Sequence, residues 1–580
     1  MTTSIVDAES LLAIDIGTIN TRALLFDIVE GQYRHIATGT ALTTAGVPYL
    51  DVGEGIHRAI QNLQDLTGRV IIGPSSEVIL PMAANGAGID QLAITYSAGP
   101  ELRVVIAGLL PDVSISSAQR LVATVNSRVV ETIGITDRRR MEVQLDAIVH
   151  AKPDLVIISG GTDYGANRSV LKVVELILLA CKVTAKGQIP EVVFAGNKAL
   201  ADRVKEFLGR YTRVTLLSNL RPSVDVENID SNLNAFIEVV NRIRGEQIGG
   251  LAAFAALGNT CVMPTPLAFG RMIRFISCVN KEKGVLGVDL GASAATVAIA
   301  VGGKLSLNVY PLNMGAGHLS QRAIEGVMRW LSADIPEAVV RDYLWQKTLF
   351  PASLPLTHQS LLIEQAAARY ILQTVTQLAM MRGQYAGRGF EPVIASGAVL
   401  SFTPQIEQSL LMLLDGLQPS GITTLILDPN GVMSAMGAAA GLNSVIPVHI
   451  LESGAFLNLG TVIAPYSRAR YGSKVLQVRV VYEQGGDARY EIKQGTLALL
   501  PLENGQVARL HLSAINGATL DATGKVRSAN FKVIGGVCGI VIDARGRPIA
   551  LPSDKARRRE MLCKWRDALG ISDSGIELAR

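Results

Sequence analysis

The stretch LLAIDIGTINTRALLFDI (Leu11–Ile28) has a distant counterpart in GVLGVDLGASAATVAIAVGG (Gly284–Gly303). Each is an apolar run that ends in Asp-x-Gly, turns through small or hydroxylated residues, and returns as a second apolar run. One such turn is unremarkable, because Asp and Gly favour turns anyway. Two matched copies in one chain suggest two jaws around a shared ligand. A polyphosphate needs backbone amides close to its oxygens and a divalent cation to offset its charge. Gly17 and Gly291 lack a Cβ and so allow the backbone to approach an anion. Asp15 and Asp289 end the two leading strands and are expected to hold a hydrated Mg²⁺, which takes only one or two carboxylates. The hydroxyls of Thr18, Thr21 and Ser293 are expected to supplement the amides, with Asn20 and Ala292 completing the two phosphate turns.

Working outward, composition sets the frame. A chain of 580 residues exceeds one hydrophobic core, so several domains are expected. Apolar residues make up 48% and charged residues 18%, a balance that fits packed α/β layers and not disorder. A formal net charge of +4 is too small at this length to argue for nucleic acid. The five cysteines are odd in number, widely spaced and without a C-x-x-C pair, which fits a reduced, cytoplasmic compartment. MTTSIVDAES carries no basic head before an apolar run, so no secretory signal is read. The weakly charged stretch 248–270 contains Pro264 and Pro266 and reads as a buried helix followed by a loop, not a membrane span.

Along the chain, 1–100 reads as strands and turns forming a first lobe. Between 101 and 225, apolar runs such as LRVVIAGL, PDLVIISGG and PEVVFAG alternate with amphipathic helices. That alternation is the signature of parallel strands covered on both faces, here an inserted α/β domain. Ser114 or Ser116 is expected to cap the helix within SISSAQRLVATVN. Residues 226–283 read as mainly helical and 284–450 as a second lobe. Residues 451–580 read as a separate β-rich domain that ends in a hairpin-like GIVIDARGRPIALP and a basic helix.

Three more segments accompany the hairpins. NMGAGHLSQRAIEG follows the second with Gly315 and Gly317 ahead of a helix. PVIASGAVLS places Gly397 in a turn where backbone can lie against a flat base. LDPNGVMSAMGAAAG leads from a strand into a helix of small residues around Gly437. In this order the segments resemble the actin, sugar-kinase and heat-shock-chaperone ATPase superfamily. The resemblance implies an α/β, actin-like (ribonuclease H-like) two-lobed ATPase fold, with ATP and Mg²⁺ as ligands and Gly397 and Gly437 flanking the base. The opening Asp-Ile-Gly-Thr-x-x-Thr, VIAGLLPDVSISSAQRLV, PDLVIISGGTD, the second hairpin and GGVCGIVIDARGRPIALP together resemble the glutamate mutase L family. That likeness implies an ATP-dependent chaperone or reactivating factor whose partner is a cobalamin-dependent mutase subunit.

Two departures bear on turnover. The first hairpin of the superfamily commonly carries Lys where this chain has Arg22, a planar fork in place of a compact ammonium. The second commonly reads Asp-x-Gly-Gly-x-Thr-Thr-Asp. Here Ala294 and Ala295 replace hydroxyls, and Thr296 replaces the last carboxylate. Binding on amides with slow or absent hydrolysis is therefore expected. A nucleotide-controlled, self-associating filament protein is the rival reading, and a small-molecule kinase a third that lacks an identifiable catalytic Asp. No Walker motif, nucleophile elbow or zinc spacing is present. SGGTDYGANRS offers Asp163 and Arg168 at a strand-to-helix connection. The basic runs Arg138–Arg140 and KARRREMLCKWR read as solvated faces, with neither nucleic acid nor membrane expected as a partner.

Overall fold

The computed structural model describes residues 9–279, 283–312, 320–383, 385 and 388–572. The first hairpin is strand β1 (Leu11–Ile16) turning into β2 (Asn20–Val29), and β3 (Gln32–Leu42) continues the antiparallel meander. Strand β4 (Gln91–Tyr96) then lies parallel to β1. Between β3 and β4 the chain forms helix α1 (Gly53–Thr67), where a reading of strands and turns alone is incomplete. Ile56, Ala59, Ile60 and Leu63 repeat at helical spacing and are buried, and Gly68 ends the helix in a left-handed conformation. The helix lies so close to β3 that a Cβ on Gly39 would stand 2.1 Å from the Ala59 carbonyl oxygen.

The inserted sheet follows: β5 (Leu102–Gly108), β6 (Ser127–Ile133), β7 (Leu155–Ser159), β8 (Glu191–Phe194) and β9 (Val214–Leu216). All are parallel, in the order β6-β5-β7-β8-β9. Strand β6 escapes a reading based on solid apolar runs because it is a half-exposed edge. Helix α2 (Ser116–Val122) carries no side-chain cap. Ser114 Oγ instead accepts from the Leu109 and Leu110 amides ahead of the helix, and Ser116 Oγ donates back to the Asp112 and Val113 carbonyls.

The chain then returns to the first lobe. Strand β10 (Thr260–Pro264) pairs with β4, so 226–283 contributes a strand and 248–270 is not a helix with a loop. The first sheet runs β10-β4-β1-β2-β3. Helix α3 (Thr265–Val279) leads into the second lobe, with β11 (Gly284–Leu290), β12 (Ala294–Val301), β13 (Lys304–Pro311), β14 (Phe390–Ser396) and β15 (Gly421–Asp428). Their order is β13-β12-β11-β14-β15, with a meander on one side of β11 and parallel strands on the other. Both lobes thus repeat one five-strand arrangement, the ribonuclease H-like unit duplicated in the actin-like fold. Helices α4 (His358–Arg382) and α5 (Ile406–Leu417) cover the second sheet.

The two units are joined by an exchange of helices. Helix α3, which follows the first sheet, packs on β11, β12 and β13 of the second. Helix α6 (Val432–Ala439), which follows β15, packs on β1, β4 and β10 of the first. They cross at Gly437, where a Cβ would stand 1.9 Å from the Ala268 carbonyl oxygen. Helix α7 (Val445–Glu452) reaches back to β3, where the Tyr33 amide donates to His449 Nδ1. Alanine favours a helix over glycine, but a backbone oxygen cannot retreat like a flexible side chain. Gly437→Ala is therefore expected to destabilise the protein by about 1–3 kcal/mol, the usual cost of overpacking, seen as a lower thermal midpoint.

Residues after 451 are β-rich without standing wholly apart. Strand β16 (Leu457–Ala464) pairs with β15, and β22 (Ile540–Asp543) and β19 (Leu497–Leu500) extend the same sheet to eight strands. GIVIDARGRPIALP is thus no hairpin; β22 finds both its partners elsewhere. Strands β17 (Lys474–Tyr482), β18 (Asp487–Lys493), β20 (Val507–Ala514) and β21 (Ser528–Ile534) form a separate four-stranded antiparallel sheet. Helix α8 (Lys555–Ala568) follows, capped by Asp554 accepting from the Arg557 amide. Among the described residues no helix is long and apolar enough to cross a membrane.

Candidate functional site

The two Asp-x-Gly turns meet. Thr18 Oγ1 and Ser293 Oγ are 2.7 Å apart, across 275 residues of sequence. The turns are also built alike: the Gly17 amide donates to the Asn20 carbonyl at 3.0 Å, and the Gly291 amide donates to the Ala294 carbonyl at 3.0 Å. This closure uses the glycine amides themselves. Among the described residues, the amides of Thr18, Ile19, Ala292 and Ser293 donate to no protein acceptor, which leaves two open donors on each side of the junction.

Beneath the tips lie the carboxylates. Asp15 Oδ1 accepts from Thr95 Oγ1 at 2.7 Å and from Thr265 Oγ1 at 3.0 Å, which fixes the side chain from the end of β4 and the start of α3. Register places Arg22 opposite Asp15 and buried Thr296 opposite Asp289. The structure adds Asp428, at the end of β15, as a third carboxylate. It is buried and accepts from the Val432 and Met433 amides at 2.9 and 2.8 Å, capping α6. Burial, then the charge of Asp15, push the Asp289 carboxyl up to about 7, against the opposing pull of Arg22. Burial also raises the Asp428 carboxyl, opposed by those two amides and again by Arg22. Gly431 closes the group from the α6 side: with φ +75°, its Cβ position lies 3.0 Å from Arg22 Nη1 and 3.9 Å from Asp15 Oδ2.

Not every expected residue lines this group. Thr21 is fully buried behind the turn, where its hydroxyl meets Thr43 Oγ1 at 2.9 Å while Thr43 braces the Gly17 carbonyl. The strand alternation explains the misplacement: Arg22 shares a face with Asp15, so the residue before it points the other way. Asn20 contributes its carbonyl to the turn closure. Gly397 does approach, since its Cβ position, at φ +118°, lies 2.3 Å from the carbonyl oxygen of Leu290, next to Asp289. Gly437 is buried in the α3–α6 crossing and is not open to a base. Gly315 and Gly317 lie outside the described residues. Thr95, Thr265 and Asp428 escape a reading by motif because each is a single polar residue at or just past the end of an apolar strand. The Asp-Pro-Asn-Gly turn was the available signal for Asp428.

Two acidic side chains beside open amides fit a hydrated divalent cation and the anionic oxygens it would accompany. Partial structural likeness extends to a nucleotide-free acetone carboxylase, at 12% identity over 83% of this chain and 81% of that one, with a TM-score of 0.34. It extends also to xylulose kinase from Bifidobacterium adolescentis, at 11% identity over 78% and 96%, with a TM-score of 0.29. A third is the ethanolamine utilization protein EutJ from Carboxydothermus hydrogenoformans, at 11% over 75% and 91%, with a TM-score of 0.28. No curated protein matches the chain. The family model of the MutL protein, the glutamate mutase L family, matches residues 11–454, and the chain belongs to that family.

Proposed function

We propose that this protein binds Mg-ATP between its two lobes and uses lobe closure to act on a partner, with little or no hydrolysis. The carrying observation is the Thr18–Ser293 contact, which sets two pairs of open amides together above Asp15 and Asp289. Thr18, Ile19, Ala292 and Ser293 would hold the phosphates. Asp15 and Asp289 would hold the hydrated metal, which offsets phosphate charge when bound, and Gly397 would lie toward the base. Thr296 faces Asp289 where the superfamily commonly has a carboxylate, which supports turnover well below the enzymatic median of about 10 per second.

The insert is positioned to report closure. Although it leaves the first lobe, its Ala123 carbonyl accepts from the Val309 amide on edge strand β13 of the second lobe at 2.7 Å. Nucleotide can bias this arrangement only through different affinities for open and closed forms. Family membership supports a cobalamin-dependent mutase subunit as partner, with reactivation or chaperoning as the role.

Titration calorimetry on the full chain tests the ligand. ATP and ADP are expected to bind with Kd below about 1 mM in Mg²⁺ and more weakly in chelator. Thr18→Ala/Ser293→Ala should weaken binding by about tenfold while sparing the fold. No detectable heat with millimolar ATP or ADP would overturn the reading. Co-elution with a mutase subunit that responds to nucleotide tests the partner separately.

A further inference from the structure

The outer face of the four-stranded tail sheet concentrates positive charge in an arrangement that folding alone disfavours. Strand pairing sets Arg479 directly opposite Arg489, Lys474 opposite Lys493, and Arg509 opposite Lys532; His511 flanks Arg479 from the other side. All six Lys and Arg side chains are exposed. Like charges directly opposite one another destabilise a sheet, whereas opposite charges would stabilise it. The carboxylates on the same face are Asp487 and Glu491, so the cationic surplus equals the formal net charge of the whole chain, +4.

Local ion pairs relieve part of this. Asp487 meets Arg479 at 2.7 Å and Arg489 at 3.6 Å, Glu491 meets Lys474 at 2.6 Å, and Glu483 in the adjoining turn meets Lys532 at 3.0 Å. Arg509 and Lys493 have no ion-pair partner among the described residues. The other face of the sheet is apolar and packed, with Val478, Val480, Leu510 and Leu512 buried. The outer face is therefore free to carry any sequence compatible with strands, and three aligned cation pairs are not what stability selects.

We propose that this face docks an acidic protein surface. The chemistry favours that occupant over nucleic acid, because Tyr482, Tyr490 and Phe531 of these strands all turn to the packed side, opposite Ala508, Val478 and Leu510. The ring that remains on the outer face is the half-buried imidazole of His511, a poor platform for successive bases, and a four-stranded sheet is too wide to enter a DNA groove. Its apolar side chains with any exposure are Val481, Val507 and Ile534, of which Ile534 alone is more than half-exposed, too few for insertion into a bilayer. Such a surface acts chiefly on association rate and salt dependence.

The probe is fluorescein-labelled poly-L-glutamate titrated with the full chain at about 50 and about 200 mM NaCl, followed by anisotropy. Binding is expected to weaken with salt, and Arg479→Glu/Arg509→Glu should weaken it by at least about tenfold. Lys555→Glu/Arg557→Glu on α8 should leave it unchanged. Arg489→Thr separates binding from folding: it should raise the thermal midpoint by removing a cation pair while weakening the peptide complex. The proposal fails if poly-L-glutamate does not bind, if charge reversal on the sheet leaves binding intact, or if the α8 reversal matters as much. It fails equally if duplex DNA or phosphatidylglycerol vesicles bind more tightly than the peptide through the same Arg479 and Arg509.

Discussion

Asp289→Asn is expected to abolish the Mg²⁺ dependence of nucleotide binding and, in the metal-free protein at pH 8, to raise stability. Burial and the neighbouring charge of Asp15 push the Asp289 carboxyl up to about 7. A carboxyl whose folded pKa lies above its unfolded value contributes stability that is complete below the unfolded pKa and is lost as pH rises through the folded one. The metal-free protein should accordingly lose about 1 kcal/mol between pH 6 and pH 8 from this group, at about 1.4 kcal/mol per pKa unit. The Asn side chain has the same shape and no charge, so the variant should escape this loss and gain about 1–3 kcal/mol at pH 8. Magnesium should stabilise the parent protein at pH 8 by favouring the ionised form, and should do little for the variant. Losing a charged partner should also weaken Mg-ATP binding by about 10–100-fold. Thermal melts at pH 6 and pH 8, with and without Mg²⁺, together with calorimetry, check all four points. A variant with unchanged pH dependence and unchanged Mg-ATP affinity would remove Asp289 from the site.

The opposite directions of these effects follow from how the cleft is built. Three carboxylates stand near one guanidinium, that of Arg22, which pulls against the raised pKa of both Asp289 and Asp428. In the first hairpin the cross-strand partner of the acid is this cation; in the second it is the neutral Thr296. The duplicated fold therefore places its charge asymmetrically. The second carboxylate is poorly compensated by the protein alone, a deficit that a bound cation would relieve.

The duplicated hairpins were legible because Asp-x-Gly between apolar runs specifies a turn and chemistry together, and a second copy is improbable by chance. Parity along β2 could have excluded Thr21, since Asp15 and Arg22 define the cleft face and Thr21 lies between them in alternation. Helix α1 was present as a periodicity, at Ile56, Ala59, Ile60 and Leu63, hidden among polar residues. Gly437 looked like an approach point for a ligand because small residues permit any close approach; only the packing shows that the approaching group is the Ala268 backbone. The tail was least legible. Short apolar strands do not announce their partners, and nothing local in Ile540–Asp543 tells that it will lie between β16 and β19.

That weld between tail and second lobe carries the other large prediction: Asp415→Ala should cost about 3–5 kcal/mol, the penalty for stranding a buried charge. Asp415, on α5, is 1% exposed; its Oδ1 accepts from Arg545 Nη1 at 2.6 Å, and its Oδ2 lies 2.8 Å from Arg369 Nε on α4. Arg545 also reaches Asp543 through Nε and Nη2 at 2.9 and 2.8 Å, and Arg547 Nη2 joins Asp543 at 2.8 Å. Burial alone would raise the Asp543 carboxyl, but the Arg545 and Arg547 guanidiniums hold it well below the usual range. The Arg545 guanidinium lies 4.7 Å from the Trp565 ring centroid, which ties α8 to the same group. Removing Asp415 leaves Arg369 and Arg545 buried beside each other without their shared acceptor, so the loss exceeds that of one hydrogen bond. Replacing Arg369 as well, Arg369→Met/Asp415→Leu, removes the cation that would have no partner and leaves Arg545 paired with Asp543, so it should recover part of the stability. Urea unfolding followed by tryptophan fluorescence reads the difference, with limited proteolysis showing whether α8 is released first. An Asp415→Ala protein within about 1 kcal/mol of the parent would mean that the tail is held by its apolar contacts and strand pairing, and that the buried ions specify its register without stabilising it.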